Sequence, residues 1–154
     1  ENHTEFEIRT KSQNITPLLQ KKPLKNVIIA YSLNPQKVIQ SIEKKTSSLE
    51  SRLHALEKLI DLGFTIGLRL DPIIDYEDAH KDYEALIEII FKRLKKIHSI
   101  TLGPYRLAKN AHNIMRKKRP TSQLIMSEQN PEIVNHVKKR LLEKIEAKHL
   151  FVCY

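Results

Sequence analysis

The feature that most constrains this chain is the run Val27-Ile28-Ile29-Ala30-Tyr31-Ser32-Leu33-Asn34-Pro35. Val27, Ile28, Ile29 and Ala30 follow one another without alternation. That composition belongs to a strand buried on both faces, as in parallel sheets covered by helices. The run then stops in small and polar groups. Pro35 forbids the strand from continuing and can open a helix as its first residue. In a β/α protein such a junction is the carboxyl end of a strand, where ligands are held. Ser32 and Asn34 are two residues apart, so both can face one cavity.

The rest of the chain repeats the theme. Residues 6–11 alternate as a short strand ending at Lys11, and Asn14–Leu19 can form one helical turn. The buried run corresponds to a strand over 26–31. Helical segments follow at 35–43 and 48–62. The second has capping-box spacing at Ser47 and Glu50, an apolar stripe of Leu49, Leu53, Leu56 and Ile60, and Gly63 as its stop. A third strand over 64–70 ends at Asp71-Pro72. An amphipathic helix over 78–95 carries Asp78 as its cap and turns Tyr83, Leu86, Ile87, Ile90 and Leu94 inward. A fourth strand covers 98–103, followed by a helix over 104–117 opened by Pro104. Ser122–Met126 suits a short strand. Asn130 caps a helix from Pro131 to about Ala147, and residues 150–153 form a last strand. Strands separated by helices imply an α/β fold with a mostly parallel sheet and helical crossovers. A single domain over 1–154 is expected, with 1–4 and 120–130 as loop or tail, and with residues 5–10 as an unpaired edge.

Composition narrows the function classes. The 154 residues are 40% hydrophobic and 29% charged, which suits one folded core and excludes a disordered chain. No apolar run is long enough to span a membrane, and the opening residues lack a secretory pattern. Glu1 in place of Met points to a partial sequence or mature fragment. A single cysteine, Cys153, excludes an internal disulfide framework and suits a reducing compartment, the cytoplasm. It also excludes a thiolate metal centre made by this chain alone. The net charge of +9 favours an anionic partner such as DNA, RNA or a phosphate ester, or else a basic surface without a specific partner. Three glycines leave no Gly-rich phosphate loop, and His54, His80, His98, His112, His136 and His149 show no metal-ligand spacing.

If the sheet is parallel, the strand ends share one side. They carry Lys11, Ser32 with Asn34, Asp71 with Pro72, and Gly103 with Tyr105 and Arg106. A cation, small hydrogen-bonding groups, a carboxylate and an aromatic–guanidinium pair suit a zwitterionic or phosphorylated ligand. Each also has a plainer reading. Lys11 can be solvated, Ser32 and Asn34 can cap the next helix, and Asp71 can pair with Arg69 or Lys81. Arg116, Lys117, Lys118 and Arg119 at a helix end can contact phosphates or complement the helix dipole.

Several segments then fall in one order: Arg9-Thr10-Lys11, Tyr31-Ser32-Leu33-Asn34-Pro35, Thr46-Ser47-Ser48-Leu49-Glu50-Ser51-Arg52-Leu53, Gly63-Phe64-Thr65-Ile66-Gly67 and Asp71-Pro72-Ile73-Ile74. From about Glu5 to Arg106 this succession resembles the carboxyl-terminal part of the spore photoproduct lyase family of radical S-adenosylmethionine proteins, and it fades after Pro120. The resemblance implies part of a (β/α) TIM-like partial barrel, a [4Fe–4S] cluster, and S-adenosylmethionine cleaved to a deoxyadenosyl radical that repairs a thymine photoproduct in DNA. It implies that Lys11 and Ser32 contact the methionine part of S-adenosylmethionine; Asn34, at the same strand end as Ser32, is expected to join them in holding the cofactor. Asp71, Tyr105 and Arg106 would lie on the substrate side.

The chain also departs from that pattern. The family's Cys-x3-Cys-x2-Cys motif and its hydrogen-returning cysteine are absent, so no catalytic residue is assigned within this chain and the fragment alone is expected to be inactive. The missing partner would be the amino-terminal half of the barrel. Gln123–His136 lacks the aromatic, basic hairpin of the spore enzymes, and Asp71 stands where they carry a small neutral residue. Two other readings remain open: a non-catalytic nucleic-acid-binding remnant, and an unrelated small barrel enzyme for a phosphorylated metabolite.

Overall fold

The structure, a computed structural model, describes residues 4–106, 109–118 and 131–153. Five strands form one sheet in the order of the chain: β1 (Phe6–Thr10), β2 (Val27–Ser32), β3 (Thr65–Ile73), β4 (Ser99–Pro104) and β5 (Leu150–Val152). Every neighbouring pair is parallel, with Ile8 opposite Ile29, Ile29 opposite Ile66, Leu68 opposite Ile100 and Leu102 opposite Val152. The connections carry α1 (Thr16–Leu19), α2 (Gln36–Ser41), α3 (Leu49–Asp61), α4 (Ala79–Arg93), α5 (Lys109–Lys118), α6 (Glu132–Leu142) and a short 3-10 turn, Ala147–His149. The α/β reading holds. The expected short strand Ser122–Met126 and the Asn130 cap lie outside the described residues.

Strand alternation divides the sheet into two unlike faces. On one, Ile29, Tyr31 and Leu33 join Ile66, Leu68, Leu70, Ile100 and Leu102 in the main core. Leu53 and Leu56 of α3, Tyr83, Leu86 and Ile90 of α4, and Val137 and Leu141 of α6 complete it. The register puts Glu7, Arg9, Ile28, Ala30, Ser32, Gly67, Arg69, Asp71, Ser99, Thr101 and Gly103 on the other face. That face is mostly polar: Glu7, Arg69 and Ser99 meet across its middle, while Ser32 and Asp71 lie nearer the carboxyl ends of their strands.

Local chemistry explains where the observed elements depart from the expected ones. Pro35 is the N-cap of α2 and not its first helical residue, with an extended ψ of 146°. Ser48, not Ser47, caps α3: its hydroxyl accepts from the Ser51 amide at 3.2 Å. Ser47 is drawn outward, accepting the Gln13 amide at 2.9 Å. At the far end Gly63 takes a φ of 85°, and Phe64 N–H reaches the Leu59 carbonyl at 3.0 Å, a Schellman closure. Strand β3 does not stop at Asp71-Pro72 but runs on to Ile73, with a register shift against β4 between Leu70 and Ile73. Asp78 sits at the N-cap of α4 without capping it, because its carboxylate is taken by Lys37 Nζ at 2.6 Å. Pro104 closes β4 and does not open a helix, since Tyr105 and Arg106 after it lie outside any helix. Helix α6 ends at Leu142, short of Ala147, and Glu146 is already extended.

Candidate functional site

The site is built from the loops that leave β1 and β2. Lys11 and Ser12 follow β1, and Tyr31 of β2 fastens them by donating its hydroxyl to the Ser12 carbonyl at 2.9 Å. Ser32 at the end of β2, and Leu33 and Asn34 beyond it, are all buried. The loop between α2 and α3 supplies Glu43, and α3 supplies Arg52.

Glu43 joins these pieces. Its Oε1 accepts from Lys11 Nζ at 2.9 Å and from Asn34 Nδ2 at 2.9 Å. Its Oε2 accepts from Arg52 Nη2 at 2.6 Å. Arg52 is 0% exposed, and its other donors reach the Ser32 carbonyl and the Ser47 carbonyl, each at 2.9 Å. Asn34 Oδ1 accepts from the Tyr83 hydroxyl at 2.9 Å, and that hydroxyl accepts from the Ile74 amide at 2.9 Å. Lys11, Ser32 and Asn34, expected at one site, therefore share one buried polar network. The network is satisfied at each of these atoms, the condition under which buried polar groups stiffen a site.

The electrostatics follow from that geometry. Burial pushes the Glu43 carboxyl up, but hydrogen bonds from Lys11, Asn34 and Arg52 outweigh it and hold Glu43 below the usual carboxylate range. Burial raises Tyr83 and keeps its phenol neutral, able to donate to Asn34.

The members of the set are not equally available. Both ends of the Asn34 amide are engaged within the protein, so it shapes the site from beneath. Lys11 is different: its side chain is 37% exposed, and Glu43 takes one of three ammonium donors. Ser32 is 4% exposed, and its hydroxyl has no hydrogen-bond partner among the described residues.

The substrate-side candidates sit on the polar face and beyond β4. Asp71 does not pair with Arg69 or Lys81; Arg9 Nη1 stands 4.0 Å from it. Arg69 is turned the other way, over Gly67, where a Cβ would lie 2.9 Å from the guanidinium. There Arg69 forms a close ion pair with Glu7 and donates to the Ser99 carbonyl at 3.3 Å. Hydrogen bonding from Arg69 holds the Glu7 carboxyl below its ordinary value. Gly103 brings β4 against β5: a Cβ there would meet the Cys153 carbonyl at 2.8 Å and Asp71 Oδ1 at 3.4 Å. Tyr105 is half-buried and Arg106 is exposed beyond β4. Arg116, Lys117 and Lys118 are exposed on the last turn of α5, away from the strand-end network in the chain, and Arg119 lies outside the described residues.

Glu43 and Arg52 escape a reading based on strand ends alone. Arg52 left a signal, since the stripe of Leu49, Leu53 and Leu56 turns it toward the core, where an arginine requires a partner. Glu43 left none, because a carboxylate in a polar loop is ordinary.

Comparisons with known proteins add the family. The sequence model of the spore photoproduct lyase family matches residues 1–139, well beyond the Glu5–Arg106 stretch that carries the motifs. The spore photoproduct lyase of Clostridium acetobutylicum is 28% identical over 128 residues, covering 82% of this chain and 38% of that protein. The Bacillus subtilis enzyme is 29% identical over 124 residues, 78% of this chain and 36% of its own length. The chain thus spans well under half the length of these curated relatives. Among solved structures, a mutant spore photoproduct lyase with bound AdoMet and dinucleoside spore photoproduct superimposes with a TM-score of 0.75 at 20% identity, over 97% of this chain and 51% of that one. Another mutant, with the dinucleoside alone, gives 0.77 at 20% identity over 100% and 52%. That likeness is one of fold, and it identifies the five parallel strands and their helical crossovers as about half of a TIM-like partial barrel. With the family model covering nearly all of its length and the sheet matching in fold, this chain belongs to the spore photoproduct lyase family.

Proposed function

We propose that this chain forms the carboxyl-terminal, AdoMet- and substrate-holding part of a radical enzyme that repairs a DNA photoproduct. The observation that carries the reading is a part-exposed Lys11 ammonium held by Glu43, whose other oxygen is bound by Arg52, which also fixes the Ser32 carbonyl at the end of β2. Lys11 meets the methionine carboxylate as a cation, and Ser32 adds a short hydrogen bond beside it. Asn34 holds the floor. AdoMet supplies the deoxyadenosyl group on which the family's radical chemistry draws.

A [4Fe–4S] cluster does not fit the residues present. Such clusters are held by several thiolates, and the chain has one cysteine, Cys153. No group of three His, Cys, Asp or Glu able to hold a metal occurs among the described residues. Radical generation in this reading belongs to the portion of the longer relatives that the chain does not cover. On the substrate side, Asp71 with Arg9, followed by Tyr105 and Arg106, offers hydrogen bonds and an aromatic surface to a base. Arg116, Lys117 and Lys118 suit backbone phosphates, and the net charge of +9 acts in the same direction.

Calorimetric titration with AdoMet tests the reading. Saturable heat is expected, with affinity reduced at least about tenfold in Lys11→Ala, the worth of one charge-assisted hydrogen bond. Equal affinity in the variant and the parent contradicts it. No AdoMet binding alongside salt-sensitive DNA binding favours the second reading, a nucleic-acid-binding protein without the ligand site.

A further inference from the structure

Nothing in the motif order singles out Glu43, yet the structure places it where three pieces of the site converge. Its two oxygens face Lys11, Asn34 and Arg52, and its side chain is only 7% exposed. It comes from the loop after α2, not from a strand end, and Lys45 in that loop holds a φ of 60°. Thr46 Oγ1 returns to the Glu43 carbonyl at 2.9 Å and receives Arg52 Nη2 at 2.8 Å, which fixes the loop. The carboxylate is too enclosed to be a general ligand contact. Its position instead sets the direction of the Lys11 ammonium.

We infer that Glu43 is the positioning residue of the strand-end site: one carboxylate oxygen aims Lys11 at the ligand carboxylate, and the other, through Arg52, fixes the Ser32 main chain. The inference rests on the AdoMet reading above. A flexible four-carbon lysine stem has many rotamers to lose, and an anchoring carboxylate removes that cost before the ligand arrives. Lys11 keeps two donors for the ligand while the third is held. Without Glu43, the same lysine would have to be ordered by the ligand itself. The opposite role is also physically defined: if Glu43 merely competed for Lys11, removing its charge would tighten ligand binding.

A double-mutant cycle separates these cases. AdoMet affinity is measured by calorimetry in the parent, Glu43→Gln, Lys11→Ala and the double variant, with circular dichroism and urea unfolding on each. Positioning predicts a loss of about tenfold in Glu43→Gln and a clearly smaller further loss when Glu43→Gln is added to Lys11→Ala, where only the Arg52–Ser32 arm is left to lose. Glu43→Asp keeps the charge and should recover part of the affinity, which a purely structural role would not restore in step with charge. Unchanged or tighter binding in Glu43→Gln overturns the inference while leaving the AdoMet reading intact. Additive losses, with no recovery in Glu43→Asp, overturn it as well. Absence of AdoMet binding in the folded parent overturns both. If Glu43→Gln fails to fold, the cycle is run with Glu43→Asp, whose shorter stem should give a smaller loss that shrinks further on the Lys11→Ala background; equal losses on both backgrounds overturn the inference.

Discussion

At the residue scale, two carboxylates are held ionised by neighbouring donors: Glu43 within the strand-end network, its side chain 7% exposed, and Glu7 on the exposed edge strand β1. Glu7 is lowered mainly by its bond to Arg69, and Glu43 is lowered because hydrogen bonds from Lys11, Asn34 and Arg52 overcome its burial. A carboxyl whose folded value lies below its unfolded value stabilises the protein above the unfolded value. That contribution is lost as pH falls through the folded one. Stability measured by urea unfolding should therefore decline as pH drops below the ordinary glutamate value of 4.5. Glu7→Gln should flatten that acid limb; an unchanged limb in the variant contradicts the role given to the Glu7–Arg69 pair. The sequence offered Lys11 and Ser32 by their places at the ends of strand patterns, one alternating and one an unbroken apolar run. It could not announce Glu7–Arg69, because 62 residues separate the partners and only the register of three strands brings them together.

At the element scale, the chain was most legible where one period dominates. The stripe of α3, the inward face of α4 and the unalternating run of β2 each appear as expected, since apolar spacing reports burial directly. Ends were less legible, because a cap is chosen by competition among neighbours. Ser47 and Ser48 are chemically equal, and a hydrogen bond from the distant Gln13 amide decides between them. Asp78 lost its capping role to Lys37 in the same way. Ser48→Ala should cost about 1 kcal/mol of stability in urea unfolding, as expected for loss of a serine N-cap. A neutral Ser48→Ala beside a costly Ser47→Ala would return the cap to Ser47. Asp71-Pro72 misled for another reason: proline ends ladder bonding in most strands, but a register shift against β4 lets β3 pass through it.

At the scale of the whole molecule, the parallel order β1-β2-β3-β4-β5 puts every strand's carboxyl end on one side, and that side carries the network. The alternation of strand and helix patterns was enough to read this topology, because parallel pairing demands crossovers. Strand β1 is the sheet edge, as expected, with Phe6 at 58% and Ile8 at 52% exposure on its apolar face. No helix among the described residues is long and apolar enough to cross a membrane. The account's central claim is that AdoMet binds at the strand ends, over Lys11 and Ser32. The most direct measurement is the amide NMR spectrum of the isotope-labelled chain during an AdoMet titration. The account predicts shifts concentrated at Lys11–Gln13, Ser32–Asn34 and Glu43. Shifts confined to the opposite end of the sheet, around the cleft lined by Gly63, Thr65, Lys96 and His98, would contradict it.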